Sequence, residues 1–585
     1  MKGLPTQRLE AAWRGARADL LAERTSEGRW EGELSSSALS TATAAIALAQ
    51  VDPERHAPRI GEALRWLAEH QGSDGGWGDT VRSRSNPSTT ALAWAAFAAG
   101  GADGRYPETV QRAAAYLATT LGPGRDLVTA IESLYGTDRT FSVPITMTLA
   151  LCGRLGPDGW SRVRSLPFEL AALPRGLFGL LNLPVVSYAL PALIAIGQVI
   201  HHKSGRWNPI RSLVQGQTLG VLGTLQPSNG GFLEATPLTS FVTMSLAAMG
   251  HTDHPVTRKG VEFLLQSVRS DGSWPIDTHL ATWVTTLSVK ALMEGASARD
   301  RTEFVGERVR AWLLAQQHRQ VHPYTGAAPG GWAWTPLPGG VPDADDTAGA
   351  LLALEALGAE APGVMDAVVL GVEWLLGLQN RDGGIPTFCR GWGALPFDRS
   401  TPELTAHALR AWSVWRSRLP AALARRVDEA RRRALDYLVA SQRANGSWIP
   451  LWFGNESAEG QENPVYGTGM VLRALGESDD TVRSAVLAGR RFLLQSQNPD
   501  GGWGGALGTR STLEETSIAL SALVGEDETA EAVSRGVEWL LPRVEKPVPD
   551  SPAPIGLYFA RLWYFERLYP RIFVVEALGR LLSRV

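Results

Sequence analysis

The sequence predicts an all-α protein assembled from helical hairpins that close into one or more α/α barrels. Three observations lead there. A turn of the form Gln, three residues, Gly, one residue, then an aromatic or apolar side chain recurs along the chain. Before each turn lies a helical pattern with one polar face, and after it a helix rich in small and apolar residues. Such an apolar helix has to be covered on every side, and a ring of hairpins with the apolar helices inside achieves that.

The turns read QGSDGGW (71–77), QPSNGGF (226–232), QNRDGGI (379–385), QRANGSW (442–448) and QNPDGGW (497–503), with variants SDGSW (270–274) and GGWAW (330–334). Their Asp-Gly and Asn-Gly pairs tolerate the positive φ that a tight turn requires. The helices that precede them end in an aromatic and leucines, as in VEWLLGLQ (372–379) and RRFLLQSQ (490–497). Those that follow include STTALAWAAFAAG (88–100), TPLTSFVTMSLAAMG (236–250), DDTAGALLALEALG (345–358) and STLEETSIALSALVG (511–525). Ser, Thr or Asp at their starts caps free N–H groups, and Gly closes them. Most tryptophans of the turns are read as structural, holding helix ends together.

Size and composition narrow the function. A chain of 585 residues can build two or more domains, and a net charge of −3 gives no support for nucleic-acid binding. Two cysteines, Cys152 and Cys389, make neither a disulfide framework nor a cysteine metal cluster, and they suit a reducing compartment. The N-terminal residues carry charges throughout and lack the apolar run of a secretory signal. Residues 176–200 are apolar enough to span a membrane, but Pro184, Pro191, Asn182 and Gln198 interrupt them. Helices buried in protein or dipping into one leaflet are the expected outcome there, with a true span as the alternative.

The helix register brings chemistry to one place. The inner helices run in one direction, so their first turns gather at one end of the lumen. VPDADDTAG (341–349) puts Asp343, Asp345 and Asp346 at such a start. TPELTAHALRAW (401–412) puts Glu403 and His407 one turn apart on one face of the next, and Tyr466 holds the same place in the repeat after that. Each feature alone has a plainer reading as a cap, a satisfied helix histidine or a packed ring; the shared register joins them. Three neighbouring carboxyls in a poorly hydrated site cannot all ionise, so at least one keeps its proton. A protonated His407 and the helix N-terminus would stabilise the carboxylate left after donation. An acid of this kind facing an oily, aromatic cavity suits protonation of a carbon–carbon double bond, with π faces stabilising the cation. Metal binding by the same carboxylates is the competing reading. No HExxH zinc pattern or Gly-rich phosphate loop is present.

The Gln…Gly…Trp turns together with PDADDT (342–347) resemble the squalene–hopene cyclase family of class II triterpene cyclases, from about residue 20 to the C-terminus. The resemblance implies two α/α barrel domains in a dumbbell, residues 15–280 forming one and residues 281–585, with the extreme N-terminus 1–14, the catalytic one. It further implies monotopic attachment on the cytoplasmic side of a membrane, an apolar channel to a central cavity, and no metal or organic cofactor; a homodimer is compatible with it. Asp345 matches the aspartate that protonates the terminal alkene, Asp343 and Asp346 its flanking partners, His407 the histidine that tunes the acid, and Tyr466 the tyrosine linked to it through water. Trp283 resembles a cavity tryptophan, and Trp334 takes the place of a cation-stabilising phenylalanine. Tyr188, Phe388, Phe397 and Trp452 match cavity positions less closely, and Tyr558 and Phe565 resemble an aromatic segment closing the cavity.

The chain departs from the family pattern at several points. Glu403 stands for an aspartate, Val284 follows Trp283 where an acid is usual, Pro554 replaces a cavity phenylalanine, and FGNESAEGQEN (453–463) is inserted before Tyr466. These leave the substrate open between squalene, a prenylated aromatic and a diterpene diphosphate. A diphosphate would need a basic clamp, which the sequence does not reveal. A protein prenyltransferase β-subunit would share the barrel but needs cysteine-containing zinc sites. A non-catalytic toroid binding lipid or protein is the remaining rival.

Overall fold

The structure is a computed structural model. It describes residues 4–584 except 123–124, 137–138, 175, 182, 184–186, 298–299, 301–305, 391–395, 476–481, 526, 547–551 and 558–561.

Two rings of inner helices account for the core. In the first, α1 (Ala38–Val51), α2 (Pro87–Ala99), α3 (Arg139–Leu151), α4 (Leu190–Lys203) and α5 (Thr236–Ala248) pack in succession, and α5 returns to α1. In the second, α6 (Ala281–Met293), α7 (Ala344–Ala356), α8 (Pro402–Trp415), α9 (Pro464–Leu475), α10 (Leu513–Leu523) and α11 (Tyr569–Leu582) follow one another until α11 meets α6. Amphipathic outer helices such as Ala57–Glu69, Val364–Leu378 and Ala421–Ser441 cover them. The expected all-α fold of paired toroids is what the chain forms.

The repeated turn is a staple between hairpins. Gln379 Nε2 donates to the carbonyl of Gly383 in its own turn (2.8 Å) and to that of Ala430 in the next outer helix (2.9 Å). Gln71, Gln226, Gln317, Gln442 and Gln497 repeat this double bond. The turn tryptophan is a second staple: Trp503 Nε1 donates to the Leu493 carbonyl at 2.8 Å, and Trp30, Trp77, Trp274, Trp332 and Trp448 bond alike. Burial of these indoles therefore leaves no unpaired N–H. Gly383, at φ +92°, has to be glycine, since a Cβ there would lie 2.2 Å from the Arg433 carbonyl.

One sequence expectation shifts and another narrows. The boundary expected after residue 14 falls inside the helix Thr6–Ala22, which packs on α11 and on Ala530–Glu545 and ties to it through Arg8–Glu545. The whole helix therefore accompanies the second barrel. The apolar stretch 176–200 divides between a short helix, Gly176–Leu180, and the inner helix α4. Among the described residues no helix is long and apolar enough to cross a membrane.

Candidate active site

Asp343 ends an extended segment and caps α7, its side chain accepting the Asp346 N–H at 2.8 Å. That cap places Asp345 and Asp346 in the first helical turn, beside the positive end of the helix dipole. Asp345 is held from two sides. His407 Nδ1, on α8, lies 2.6 Å from its Oδ1, and the Trp283 indole N–H, on α6, donates to its Oδ2 at 3.0 Å. Beyond His407, the Lys290 ammonium is 3.4 Å from Nε2. A lysine ammonium can only donate, so Nε2 accepts, the ring proton sits on Nδ1, and it points at Asp345.

The carboxyls differ sharply in their hold on a proton. Burial, then the charge of neighbouring carboxylates, raises Asp343 and Asp346 well above the ordinary range. Asp343 Oδ2 and Asp346 Oδ1 also lack any hydrogen-bond partner. Asp345 goes the other way. Burial opposes its ionisation, but the His407 imidazole hydrogen-bonded to it, then Lys290 and the Trp283 N–H, outweigh burial and lower its pKa. Burial, aided by Lys290, brings His407 itself down to about 4, which keeps the ring neutral at pH 7. The charge expected on the imidazole thus lies beyond the ring, on the protonated form of Lys290.

The three aspartates open onto a cavity of about 350 Å³ between the barrels. Its walls are apolar and aromatic and come from both halves of the chain, with Leu39, Leu92 and Phe141 on one side and Trp283, Phe388 and Phe453 on the other. The predicted Tyr188, Trp283, Trp334, Phe388, Phe397 and Trp452 all line it. Tyr188, Phe388 and Phe397 form one aromatic group, with ring centroids 5.3–5.4 Å apart. Trp283 stacks on Phe453 and Tyr569 at 5.7 and 5.3 Å, which fixes the indole that donates to Asp345.

Three of the other predicted residues fall outside this wall. Glu403 lines neither the cavity nor the acid; its Oε1 accepts the N–H groups of Leu451 and Trp452 and so anchors the loop that presents Trp452. Tyr466 stands behind the acid with its ring 4.7 Å from Phe453 and has no direct bond to Asp345. Phe565 packs under the Arg82 guanidinium at 5.1 Å, and Tyr564, next to it on the strand Leu562–Tyr564, faces the cavity. Alternation along an extended strand explains the one-residue slip. Tyr558 lies outside the described residues. Among the described residues no group of His, Cys, Asp and Glu side chains is arranged to hold a metal ion.

Comparison with known proteins bears on the family and the fold. Residues 279–583 match the family model of the squalene-hopene cyclase C-terminal domain, and residues 14–216 match that of the N-terminal domain. The chain belongs to the squalene–hopene cyclase family. It is 31% identical to a terpene cyclase–glycosyl transferase fusion protein of Humicola fuscoatra, over 57% of this chain and 28% of that one. It is 28% identical to the squalene–hopene cyclase of Alicyclobacillus acidocaldarius, over 64% and 62% of the two chains. The chain spans 28%, 25% and 55% of the length of three curated relatives. Among solved structures, the ent-copalyl diphosphate synthase of Streptomyces platensis shares the fold, with a TM-score of 0.54 at 19% identity over 99% of each chain.

Against that family background, the sequence reading missed Lys290, Phe453 and Tyr564. Lys290 follows Trp283 by seven residues, about two turns of α6, so it shares a face with a residue already singled out. A lysine on an otherwise apolar inner helix was the available signal. Phe453 belongs to the 453–463 insertion, whose fold rests on contacts distant in sequence, such as the Gly454 N–H to the Gly556 carbonyl.

Proposed function

We propose that this protein is a class II terpene cyclase that protonates the terminal alkene of an uncharged polyprenyl chain, squalene being the leading substrate, and directs cationic ring closure. One observation carries the reading: an aspartate whose conjugate base is stabilised by His407, Trp283 and Lys290 faces an aromatic cavity. Once protonated, the carboxyl with the lowest pKa is the strongest proton donor of the three, and an alkene is a very weak base, so Asp345 is the member of the cluster suited to hand the proton over. Asp343 and Asp346, whose protons are held more tightly, keep the net charge of the cluster low. In the step itself the Asp345 O–H bond breaks, the alkene π pair forms a C–H bond, and a carbocation remains beside the aromatic walls. Each well-placed ring contributes about 0.5–2 kcal/mol to its stability. Loss of a proton or capture of water ends the cascade.

Squalene is favoured over a diphosphate because no Lys or Arg is among the described residues lining the cavity. A prenylated aromatic is the second reading, favoured by Asp277, a cavity carboxyl whose Oδ1 lacks a partner and could meet a phenol. Attachment to one leaflet of a membrane is supported by Leu173, Leu180, Leu181, Trp207, Ile210 and Leu213, apolar side chains exposed between residues 173 and 213.

The test is incubation of detergent-solubilised protein with squalene, followed by mass spectrometry of the extract, beside an Asp345→Asn control. Cyclised product from the wild type alone is the expected result. Equal conversion by both would remove Asp345 from its role. Unchanged squalene in both would favour another polyene or a lipid-binding toroid.

A further inference from the structure

The acid site has a second side. Behind Asp345, away from the substrate cavity, lies a small cavity of about 10 Å³ bordered by Lys290, His407, Tyr466, Arg473 and Glu576. That is room on the order of one water, and the walls offer several polar partners for it. Lys290 and His407 both border this space, with Lys290 Nζ 3.4 Å from Nε2 of the ring and Nδ1 of the same ring 2.6 Å from Asp345 Oδ1. The atoms thus line up as ammonium, imidazole and carboxyl, with the imidazole able to accept at one nitrogen while donating at the other.

We propose that Lys290 supplies the proton that reloads Asp345 after each turnover, passing it through His407 from the small polar cavity. The inference rests on the reading of Asp345 as the acid. The proton account closes as follows. Asp345 loses its proton to the alkene and becomes a carboxylate. The His407 Nδ1–H bond breaks and an O–H bond forms on Asp345, while a Lys290 N–H bond breaks and its proton binds His407 Nε2. The ring returns to the Nδ1–H tautomer by a flip or by proton exchange, and the neutral Lys290 amine takes a solvent proton passed on by a water in the small cavity, which is left as water. Nothing is oxidised or reduced, and the cation's own terminating step returns a proton to solvent.

The surroundings of Lys290 suit this task. Burial first, then Arg410 and Arg473, lower its pKa to about 7, against Glu576 and Asp345, so it both gives and regains a proton near neutrality. Those groups, with His407 and the Tyr466 phenol, are the ionisable side chains facing it from the helices packed around α6. Arg473 is itself paired with Glu576, which leaves Lys290 as the cation in contact with the imidazole.

The experiment has two arms, on the full chain in detergent. In the first, ¹⁵N-histidine NMR follows His407, assigned by its loss in His407→Gln. The wild-type ring is expected to sense a titration near pH 7, and Lys290→Met is expected to abolish that response and move the ring's own titration upward from about 4. In the second, rapid-quench kinetics use squalene. Lys290→Met should complete a first turnover per site and then slow at least tenfold, giving a burst that the wild type lacks; Lys290→Arg, which keeps the charge but cannot release a proton, should stay slow, and rescue by it would overturn the relay. A His407 that ignores the substitution would overturn the proposal, and so would a Lys290→Met enzyme with wild-type steady turnover and pH profile. Wild-type inertness toward squalene would count against the substrate alone, and the NMR arm would then decide the relay.

Discussion

The two barrels are built on the same staples and filled differently. In the first, the inner helices carry small hydroxyl residues whose donors turn back on their own backbone, as Thr41 does to Ser37, Thr146 to Ser142 and Thr148 to Pro144. Their hydroxyl protons are satisfied locally, although Thr41 Oγ1 also accepts the Trp274 N–H and Thr148 also reaches Met244 Sδ. In the second, the inner helices carry Lys290, His407, Arg410, Arg473 and Glu576, which can be satisfied only across the lumen. The helix starts differ too: Ser37 and Asn86 cap in the first ring, while Asp343, Asp345 and Asp346 crowd one start in the second and Glu514 and Glu515 another. A self-contained lumen is a scaffold and costs little to hold. A lumen of interdependent charges holds groups away from their solution pKa values, which chemistry requires.

That contrast can be broken in steps of falling size. Asp345→Asn should lower turnover by about 10²–10⁴-fold, the usual contribution of a general acid, with the melting temperature nearly unchanged; an unfolded variant would mean that the cluster is structural. Arg473→Met strips the buried Glu576 of its partner and should cost about 3–5 kcal/mol in urea unfolding. Replacing both members by apolar residues should recover most of that loss. On the outer surface of the first half, Trp207→Ser with Leu213→Ser should weaken binding to phospholipid vesicles by about 10–100-fold, from roughly 1.5–3 kcal/mol for each large apolar side chain kept in water, reduced by partial insertion.

Glu514 tests the charged helix starts by pH. Burial, then Glu515, push it up to about 8 from an ordinary 4.5. A raised carboxyl pKa means that the folded state binds more protons than the unfolded one between those values. Its stabilising contribution is complete below pH 4.5 and is lost as the pH rises through 8. Glu514→Gln should flatten the fall of stability across that window by about one proton, roughly 1.4 kcal/mol per pH unit. The smallest effect belongs to the first lumen, where Thr146→Val should change stability by under about 1 kcal/mol, because the hydroxyl bonds only within its own helix. A large loss there would erase the distinction between the two rings.

Much of the site was legible from sequence because helices convert spacing into direction. Asp343 caps, Asp345 follows two residues later, and His407 lies on the next inner helix, so local geometry and the repeat register together point them at one another. The apolar helices and glycine turns likewise announce a ring, since their composition leaves no other way to cover them. What sequence alone could not decide was set by contacts between distant segments. Which carboxyl keeps its proton depends on the Trp283 N–H and the Lys290 charge arriving from another helix. Glu403 became a loop anchor, and Tyr564 took the place expected of Phe565, because a loop and a strand carry no fixed angular register. Local bonding dictated the helices and their caps; tertiary electrostatics set which carboxyl ionises, since burial and neighbouring charge act through space rather than along the chain.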